Sequence, residues 1–170
     1  MGVSVNVARR RRETPQVRRA FRSAMGSVAA AVSVVTTLDG DRPHGTTVSA
    51  FGSLSMEPPM MFVSLDNASS LLSRIDIGSR VGVNVLAAHH DHTALRFAQR
   101  GLDKFAGVDW RVEDGAPALT DRHAWVALNV AHLVPGGDHT VVLGQVVAAA
   151  TTPGLPLTYW QRSFGTHKAF

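Results

Sequence analysis

Residues 44–55 read His-Gly-Thr-Thr-Val-Ser-Ala-Phe-Gly-Ser-Leu-Ser, and Pro58-Pro59 follow shortly after them. Successive side chains of a strand point to opposite faces, so a strand here separates two sets of side chains. The apolar set is Val48, Ala50 and Leu54, and the polar set is Thr47, Ser49, Ser53 and Ser55 with Phe51 among them. The polar face suits a flat ligand rich in heteroatoms, but it equally fits a strand face exposed to solvent, where Ser and Thr are common.

The residues on either side of this segment predict further antiparallel strands. Ala30 to Leu38 is rich in Val and Thr, and Asp39-Gly40 favours a tight hairpin because glycine accepts a positive φ. Proline has no N–H, so Pro58-Pro59 is expected to interrupt the ladder. Later strands are predicted over Met60 to Leu65, Arg80 to Leu86, His123 to Val134 and Thr140 to Ala150, the last two joined by Pro135-Gly136-Gly137-Asp138.

The remaining segments predict two or three short helices and one long loop. The helices are expected at Val17 to Ser27, Leu71 to Ile75 and about Asp91 to Arg100, with Asp91 as the N-cap of the last. Asp103 to Asp121 is rich in Gly, Asp and Pro, which predicts a loop with little regular structure. Strands in series with few helices predict a mainly β (α+β) antiparallel barrel rather than alternating βαβ units.

Composition limits the kind of protein that the chain can be. Its 170 residues fit a basic flexible arm over 1–14 and one domain over 15–170. The formal charge is +4, but the excess is concentrated in Arg9 to Arg12 and in nearby arginines, so a solvated arm is favoured over nucleic-acid binding. A membrane span of roughly 20 apolar residues and a secretory signal are both lacking, which predicts a cytoplasmic protein that binds no membrane.

Several kinds of chemistry lack support in the sequence. The chain has no cysteine, which excludes disulfides, thiolate metal sites and a cysteine nucleophile. It also has no G-x-G-x-x-G after a strand, no G-x-x-x-x-G-K-[ST] loop and no G-x-S-x-G elbow. His89-His90-Asp91-His92 contains metal-ligand types, but adjacent residues diverge from one another, so we predict no metal site.

Three smaller motifs could contact a ligand. His139 follows Gly137-Asp138 at the start of a strand, where its imidazole could donate a hydrogen bond or a proton, or could simply belong to a surface turn. Lys104-Phe105 offers a cation and an aromatic ring on the long loop. Ser69 and Ser70 precede a predicted short helix, where they could meet a phosphate or only cap the helix.

Taken in order, these segments resemble the flavin reductase-like family, the small reductase components of two-component flavin monooxygenases. The resemblance extends over about residues 18–165, and its specificity lies in the ordered set of motifs. The matching motifs are Phe21-Arg22-Ser23-Ala24-Met25-Gly26, Val34-Val35-Thr36-Thr37, Gly45-x-Thr47-x-Ser49-Ala50-Phe51-x-Ser53-x-Ser55, Pro58-Pro59, Ser64-Leu65-Asp66 with Ser69, Val83-Asn84-Val85-Leu86, Lys104-Phe105, Gly137-Asp138-His139 and Pro156-Leu157-x-Tyr159.

The resemblance implies a six-stranded antiparallel split barrel of the FMN-binding type, a homodimer, and reduction of FMN or FAD by NADH or NADPH. It also implies that reduced flavin diffuses to a partner monooxygenase. By this resemblance His139 lies near the nicotinamide as the catalytic candidate. The residues expected to bind the flavin are Thr47, Val48, Ser49, Ala50, Phe51, Ser53, Leu54, Ser69, Ser70, Lys104, Phe105 and Phe164.

Two functions of other classes remain open at this point. One is a flavin-binding or flavin-carrier protein on the same barrel that does not turn over nicotinamide. The other is a basic nucleic-acid-binding barrel that uses the arginine arm, for which binding would depend strongly on salt. Consumption of NAD(P)H in the presence of flavin separates the enzyme from the carrier.

Overall fold

The structure is a computed structural model, and it describes residues 14–101 and 103–169. The predicted basic arm over 1–14 therefore lies outside the described residues apart from Thr14. The helices are α1 (Pro15–Gly26) and α2 (Asp91–Ala98), and Leu72–Arg74 forms a short 3-10 turn. The strands are β1 (Ala30–Ala31), β2 (Ser33–Asp39), β3 (Arg42–Val48), β4 (Phe51–Met56), β5 (Pro59–Asp66), β6 (Arg80–Val85), β7 (Trp110–Glu113), β8 (Ala116–Leu119), β9 (Ala124–Gly136), β10 (His139–Thr151), β11 (Leu157–Trp160) and β12 (Ser163–Thr166).

The strands form one large antiparallel sheet and two small ones. The large sheet has seven strands in the order β3-β2-β6-β9-β10-β5-β4, so β3 and β4 are its edges. β1, β11 and β12 form a three-stranded sheet, and β7 pairs with β8. The prediction of a mainly β, antiparallel fold with a few short helices is confirmed.

The Asp39-Gly40 hairpin is confirmed as the connection between β2 and β3. Gly40 has a φ of +58°, and Asp39 pairs with Arg42 across the turn. The pairing then runs along the strands as far as Ser33 with Val48. This hairpin places β3 at the open edge of the sheet, with one side of its backbone free.

The prediction of a single strand over residues 44–55 is wrong. β3 ends at Val48 because its partner β2 begins at Ser33, and the chain turns away at Ser49-Ala50 to start β4 at the opposite edge of the sheet. Val48 is buried as expected, but Ala50 is exposed and the Leu54 side chain is 50% exposed. Alternation of side chains continued through the break, so the pattern itself gave no sign of it.

The long loop predicted over Asp103 to Asp121 is also wrong, because it contains the β7–β8 hairpin. Asp114 and Gly115 have φ values of +50° and +84°, as a tight hairpin turn requires. The turn signal is the same Asp-Gly pair that was read correctly at Asp39-Gly40. In addition, His90 is the N-cap of α2, so Asp91 is the first helical residue instead of the cap.

Two apolar clusters fix the parts of the fold that surround the candidate site. The larger lies among the central strands and includes Val35, Val63 and Leu128. The smaller packs α2 and the segment after it onto the sheet through Phe97, Phe105 and neighbouring residues. Among the described residues, no helix has the length and apolar character needed to span a bilayer.

Candidate functional site

A cleft of about 750 Å³ runs along the free edge of β3. This volume falls within the range of roughly 300–1,000 Å³ that is typical of small-molecule sites. One wall is the segment Arg42 to Ala50, and the opposite wall is formed by Ser64 to Asp66 and Ala68 to Ser70. The residues that follow α2 and the His139 side chain complete it. An edge strand, two turns and one helix end therefore converge on one open space.

The inner end of the cleft lies at the break between β3 and β4. The carbonyl of Ala50 accepts a hydrogen bond from the Ser64 amide at 2.8 Å, which joins the two walls there. The amides of Ser49 and Ala50 have no hydrogen-bond partner among the described residues, and both residues are exposed. Two peptide N–H groups are thus available to a ligand, which is a consequence of the strand break.

The middle of the β3 wall is held by α2 and the segment after it. Thr47 Oγ1 donates to the Ala94 carbonyl at 2.6 Å, and Lys104 Nζ donates to the carbonyls of Gly45 and Phe97 at 3.1 and 2.7 Å. A β-carbon at Gly45 would lie 3.0 Å from the Phe97 ring, so any larger residue here would press on that buried ring. Burial lowers the pKa of the Lys104 ammonium. Its third N–H is left for the cleft, because an ammonium has three donors.

The opposite wall offers hydroxyl groups at Ser69 and Ser70. Ser69 Oγ accepts a hydrogen bond from the Leu71 amide at 3.2 Å, so its own O–H remains free to donate. The Ser70 hydroxyl has no partner within the described part of the chain, and Ser70 is exposed. The Asp66 carboxylate accepts from the Ala68 amide at 2.7 Å and shapes the turn that carries both serines. These hydroxyls suit a phosphate or a ribityl chain.

His139 lies beside this turn at the first position of β10, where it pairs with Asp66 of β5. Its Nδ1 is 2.7 Å from the Asp138 carboxylate. A carboxylate can only accept, so Nδ1 carries a proton and Nε2 is left for a ligand. The hydrogen bond from His139 lowers the pKa of the Asp138 carboxyl. The imidazole is 42% exposed and lines the cleft, oriented by its neighbour.

The outer end of the cleft is cationic. Arg42 lies at the start of β3 and Arg100 lies just after α2, and both line the cleft. His44 lines it between them and the inner end, and burial together with Arg74 and Arg42 lowers the pKa of its imidazole. The two guanidinium groups therefore carry the charge there near neutral pH.

Residues 25–168 match the family described as Flavin reductase like domain. The chain belongs to the flavin reductase-like family. The reductase subunit HsaB of a flavin-dependent monooxygenase from Mycobacterium tuberculosis is 33% identical over 150 residues, which cover 86% of this chain and 80% of that protein. A flavin reductase (NADH) from Kitasatospora aureofaciens is 38% identical over 150 residues, covering 85% of this chain and 78% of that protein.

A solved structure of the same flavin reductase-like family has a similar fold. The NADH:FAD oxidoreductase SgcE6 of Streptomyces globisporus C-1027, in complex with NAD and FAD fragments, has a TM-score of 0.82 at 29% identity. The match covers 92% of this chain and 94% of that one. The structural relatives are flavin reductases of the split-barrel type, in agreement with the predicted fold class.

The structure brings most of the predicted flavin reductase site residues to this one cleft. Those that line it are Thr47, Val48, Ser49, Ala50, Ser69, Ser70, Lys104, Phe105 and His139. Phe105 is 7% exposed and packs edge-on against Phe97 and Trp110, so its ring is a fixed part of the wall. Free amides, hydroxyls, one ammonium and an aromatic wall fit the heteroatom-rich ring and phosphate of a flavin.

Four residues predicted to contact the flavin are not among those that line the cleft. Phe51 packs against the larger apolar cluster, and Ser53 and Leu54 lie on the edge strand β4, where the pairing register shifts. The Phe164 ring lies 5.2 Å from that of Tyr159 and packs on the smaller cluster. Their contact with a flavin remains a prediction from the family resemblance.

Several cleft residues were not predicted. Arg42, Gln99, Arg100 and Asp103 line the cleft, but none belongs to a motif that sequence reasoning recognised. Arg42 could have been found as the residue that follows the Asp-Gly turn on the edge strand. Arg100 reaches the cleft only because α2 packs on β3, and the sequence does not reveal that packing.

Two residues of the His89-His90-Asp91-His92 motif, His89 and His90, form a hydrogen-bonded group with Asp121. The Nε2 atoms of His89 and His90 lie 3.0 and 3.1 Å from Asp121 Oδ2, and both histidines lower the pKa of that carboxyl. His90 Nδ1 accepts from the Ala87 amide at 3.2 Å, so the proton of His90 is on Nε2. To bind a metal ion through Nε2, His90 would have to carry its proton on Nδ1. That N–H would then face the Ala87 N–H, and the hydrogen bond between them would be lost.

Proposed function

We propose that this protein is an NAD(P)H-dependent flavin reductase that reduces FMN or FAD and supplies the reduced flavin to a separate monooxygenase. The observation that carries the proposal is the cleft at the β3–β4 break, where free amides, hydroxyls and cations meet in a chain of the flavin reductase-like family. The relatives named above as an NADH flavin reductase and an NADH:FAD oxidoreductase have the same activity class.

When bound, the flavin accepts a hydride from the nicotinamide, so the protein need not supply a nucleophile. Its residues have to hold two flat rings in contact and stabilise the negative charge that develops. The amides of Ser49 and Ala50 and the Lys104 ammonium are the donors available for that charge. The Phe105 side of the cleft excludes water, because that ring is packed into the smaller apolar cluster.

His139 is proposed to contact the nicotinamide. The Asp138 carboxylate fixes Nδ1, which leaves Nε2 to hydrogen-bond a carboxamide or to move a proton at the open side of the cleft. The family resemblance supports this role, and the position of His139 on the cleft wall is compatible with it.

The reaction product is proposed to leave the cleft for an oxygenase. One relative is the reductase subunit of a flavin-dependent monooxygenase, and a structural relative is the flavin reductase component of a two-component tryptophan halogenase. The cleft is open along β3, which permits exchange of a flavin that is a substrate instead of a permanently held group.

The protein is further proposed to be a homodimer whose subunits meet through α1. In the described part of the chain, no residue of α1 is buried. Val17, Phe21 and Met25 recur every four residues and form one apolar stripe, and each is more than half exposed. Because a 12-residue helix is marginal in water on its own, this stripe needs a partner surface, and a second copy is the occupant that the resemblance favours.

The activity is tested by following absorbance at 340 nm with NADH or NADPH, with and without added FMN or FAD. We expect nucleotide oxidation only when a flavin is present. Tight flavin binding without oxidation of either nucleotide would assign the protein to the carrier class. Absence of both binding and oxidation would overturn the assignment to flavin chemistry altogether.

A further inference from the structure

The outer end of the cleft holds two guanidinium groups that have no partner among the described residues. The side chains of Arg42 and Arg100 make no hydrogen bond or ion pair with any residue that the structure describes. Asp41, which precedes Arg42 in the sequence, is exposed and forms no ion pair with any described residue. Asp39 lies on the neighbouring strand, and its Oδ2 is 3.3 Å from Arg74 Nε. Arg42 is the cross-strand neighbour of Asp39 in the β2–β3 hairpin but forms no ion pair with it. Its guanidinium group is therefore left to face the cleft.

Packing of α2 against β3 places these two arginines at the same end. Ala94 lies against Thr47 and Phe97 lies against Gly45. Helix α2 therefore runs antiparallel to β3, toward the first residue of that strand. Continuing in that direction brings the residues after α2 toward Arg42. The cleft therefore has an inner end of amides and hydroxyls and an outer end of two arginines.

The two carboxylates that line the cleft, Asp66 and Asp103, are not paired with these arginines within the described residues. Asp66 accepts the Ala68 amide at 2.7 Å and Asp103 accepts the Phe105 amide at 3.2 Å, each within its own turn. Neither carboxylate forms an ion pair with Arg42 or Arg100 among the described residues. Ser69 and Ser70 already offer hydroxyls for one phosphate on the opposite wall. Two free guanidinium groups exceed what a mononucleotide with a single phosphate requires.

We infer that Arg42 and Arg100 form a recognition site for the diphosphate of a dinucleotide. A guanidinium presents paired N–H donors that match phosphate oxygens, so two of them suit two linked phosphates better than one. The site would distinguish a dinucleotide from the corresponding mononucleotide that carries the same reactive ring. This inference uses the proposed function only in taking the cleft as the place where flavin and nicotinamide bind.

Two dinucleotides carry this chemistry, FAD and NADH, and the experiment separates them. Dissociation constants are measured for FAD against FMN, and for NADH against reduced nicotinamide mononucleotide, with the flavin and the nucleotide each added alone. The variants are Arg42→Gln, Arg100→Gln and the double variant. Arg111→Gln is the matched control, because Arg111 is an exposed arginine on β7 that pairs with Glu113 outside the cleft.

We expect each single variant to weaken one dinucleotide by about tenfold relative to its mononucleotide, since a charge-assisted hydrogen bond contributes about that much to affinity. A selective loss for FAD identifies the flavin as the source of the diphosphate, and a selective loss for NADH identifies the nicotinamide. Arg111→Gln is expected to leave both ratios unchanged.

Equal losses for dinucleotides and mononucleotides would overturn the inference, and so would unchanged affinities in the double variant. Circular dichroism spectra and melting temperatures show whether each variant is folded. Because these are binding measurements, they decide the inference even if the wild-type protein oxidised no nucleotide, an outcome that would count against the proposed function alone.

Discussion

At the scale of single residues, the His139–Asp138 pair gives the most direct test of nicotinamide binding. We expect His139→Ala to raise the Michaelis constant for NADH or NADPH by about tenfold, the value of one hydrogen bond of roughly 1–1.5 kcal/mol. Asp138→Asn is expected to have a smaller effect, because the amide oxygen can still accept from Nδ1. Steady-state kinetics at saturating FMN measures both variants. An unchanged turnover number and Michaelis constant for His139→Ala would remove this residue from the site.

His44 gives a test of pH dependence at the same scale. Burial, Arg74 and Arg42 lower the pKa of its imidazole below the usual 6.5, so the folded protein binds this proton less tightly than the unfolded chain. Its contribution to stability is therefore complete above about pH 6.5 and is lost as the pH falls from there through the folded pKa. Urea unfolding between pH 7.5 and pH 5 is expected to show a shallower loss of stability in His44→Gln than in the wild type.

His132→Gln is the control for that measurement, since His132 is exposed on β9. Titration of the imidazole protons by NMR measures the folded pKa of His44 directly. A value at or above the usual one, or identical pH profiles for His44→Gln and the wild type, would contradict the account of the outer end of the cleft.

At the scale of secondary-structure elements, Asn84 joins the β7–β8 hairpin to the main sheet. The buried Asn84 side chain donates to the Val34 and Pro117 carbonyls at 3.1 and 3.3 Å, and its oxygen accepts from the Leu119 amide at 2.8 Å. Asn84→Ala removes the acceptor of the Leu119 amide and the side-chain donor of the Val34 carbonyl, and it leaves the Pro117 carbonyl with Thr36 Oγ1 alone. We expect a loss of about 2–3 kcal/mol in the free energy of unfolding, measured in urea.

Asn129→Ala is the matched control for Asn84→Ala, because Asn129 lies on the neighbouring strand β9 and its side chain forms no hydrogen bond with the described residues. The free energy of unfolding of the control is expected to fall by less than about 1 kcal/mol, as is usual when no buried group loses its hydrogen-bond partner. Equal losses in the two variants would show that the hairpin does not depend on the Asn84 hydrogen bonds.

The elements also show where sequence reasoning succeeded. Asp39-Gly40 predicted its hairpin because strongly β-forming residues stand on both sides of the turn. Asp114-Gly115 also forms a two-residue hairpin turn, in which both residues have a positive φ, but the surrounding Gly, Asp and Pro residues concealed two short strands. The break at Ser49-Ala50 could not be predicted, since the alternation of side chains is the same in one strand as in two. That break is what leaves the two amides of the site free.

Sequence reasoning found the site residues that belong to local motifs and missed those that long-range packing brings to the cleft. Residues in recognisable local motifs, such as Ser69, Lys104 and His139, were found and line the cleft. Arg42 and Arg100 were missed because they come together only when α2 packs against the edge strand. Long-range packing of this kind leaves no signal in a single sequence, although it decides which charges face the ligand.

At the scale of the whole molecule, the exposed stripe on α1 tests the proposed homodimer. Stable dimer interfaces bury roughly 1,200–2,000 Å² and have apolar residues at their centre. Val17, Phe21 and Met25 are 58%, 67% and 51% exposed in one chain, and Phe21 lies in the middle of the stripe. A charge at that position would be buried without a partner in the dimer, which is strongly unfavourable. We expect the wild type to be a dimer by light scattering after gel filtration, and Phe21→Glu to be a folded monomer.

Val112→Glu is the control for Phe21→Glu, because Val112 is a 56% exposed apolar residue on β7, outside α1. This variant is expected to remain a dimer. A monomeric wild type would mean that another surface or ligand covers the stripe, and a dimer in Phe21→Glu would place the interface elsewhere. Either result overturns the proposal. Flavin affinity measured in the Phe21→Glu monomer then decides whether one subunit forms a complete cleft, as the walls contributed by a single chain lead us to expect.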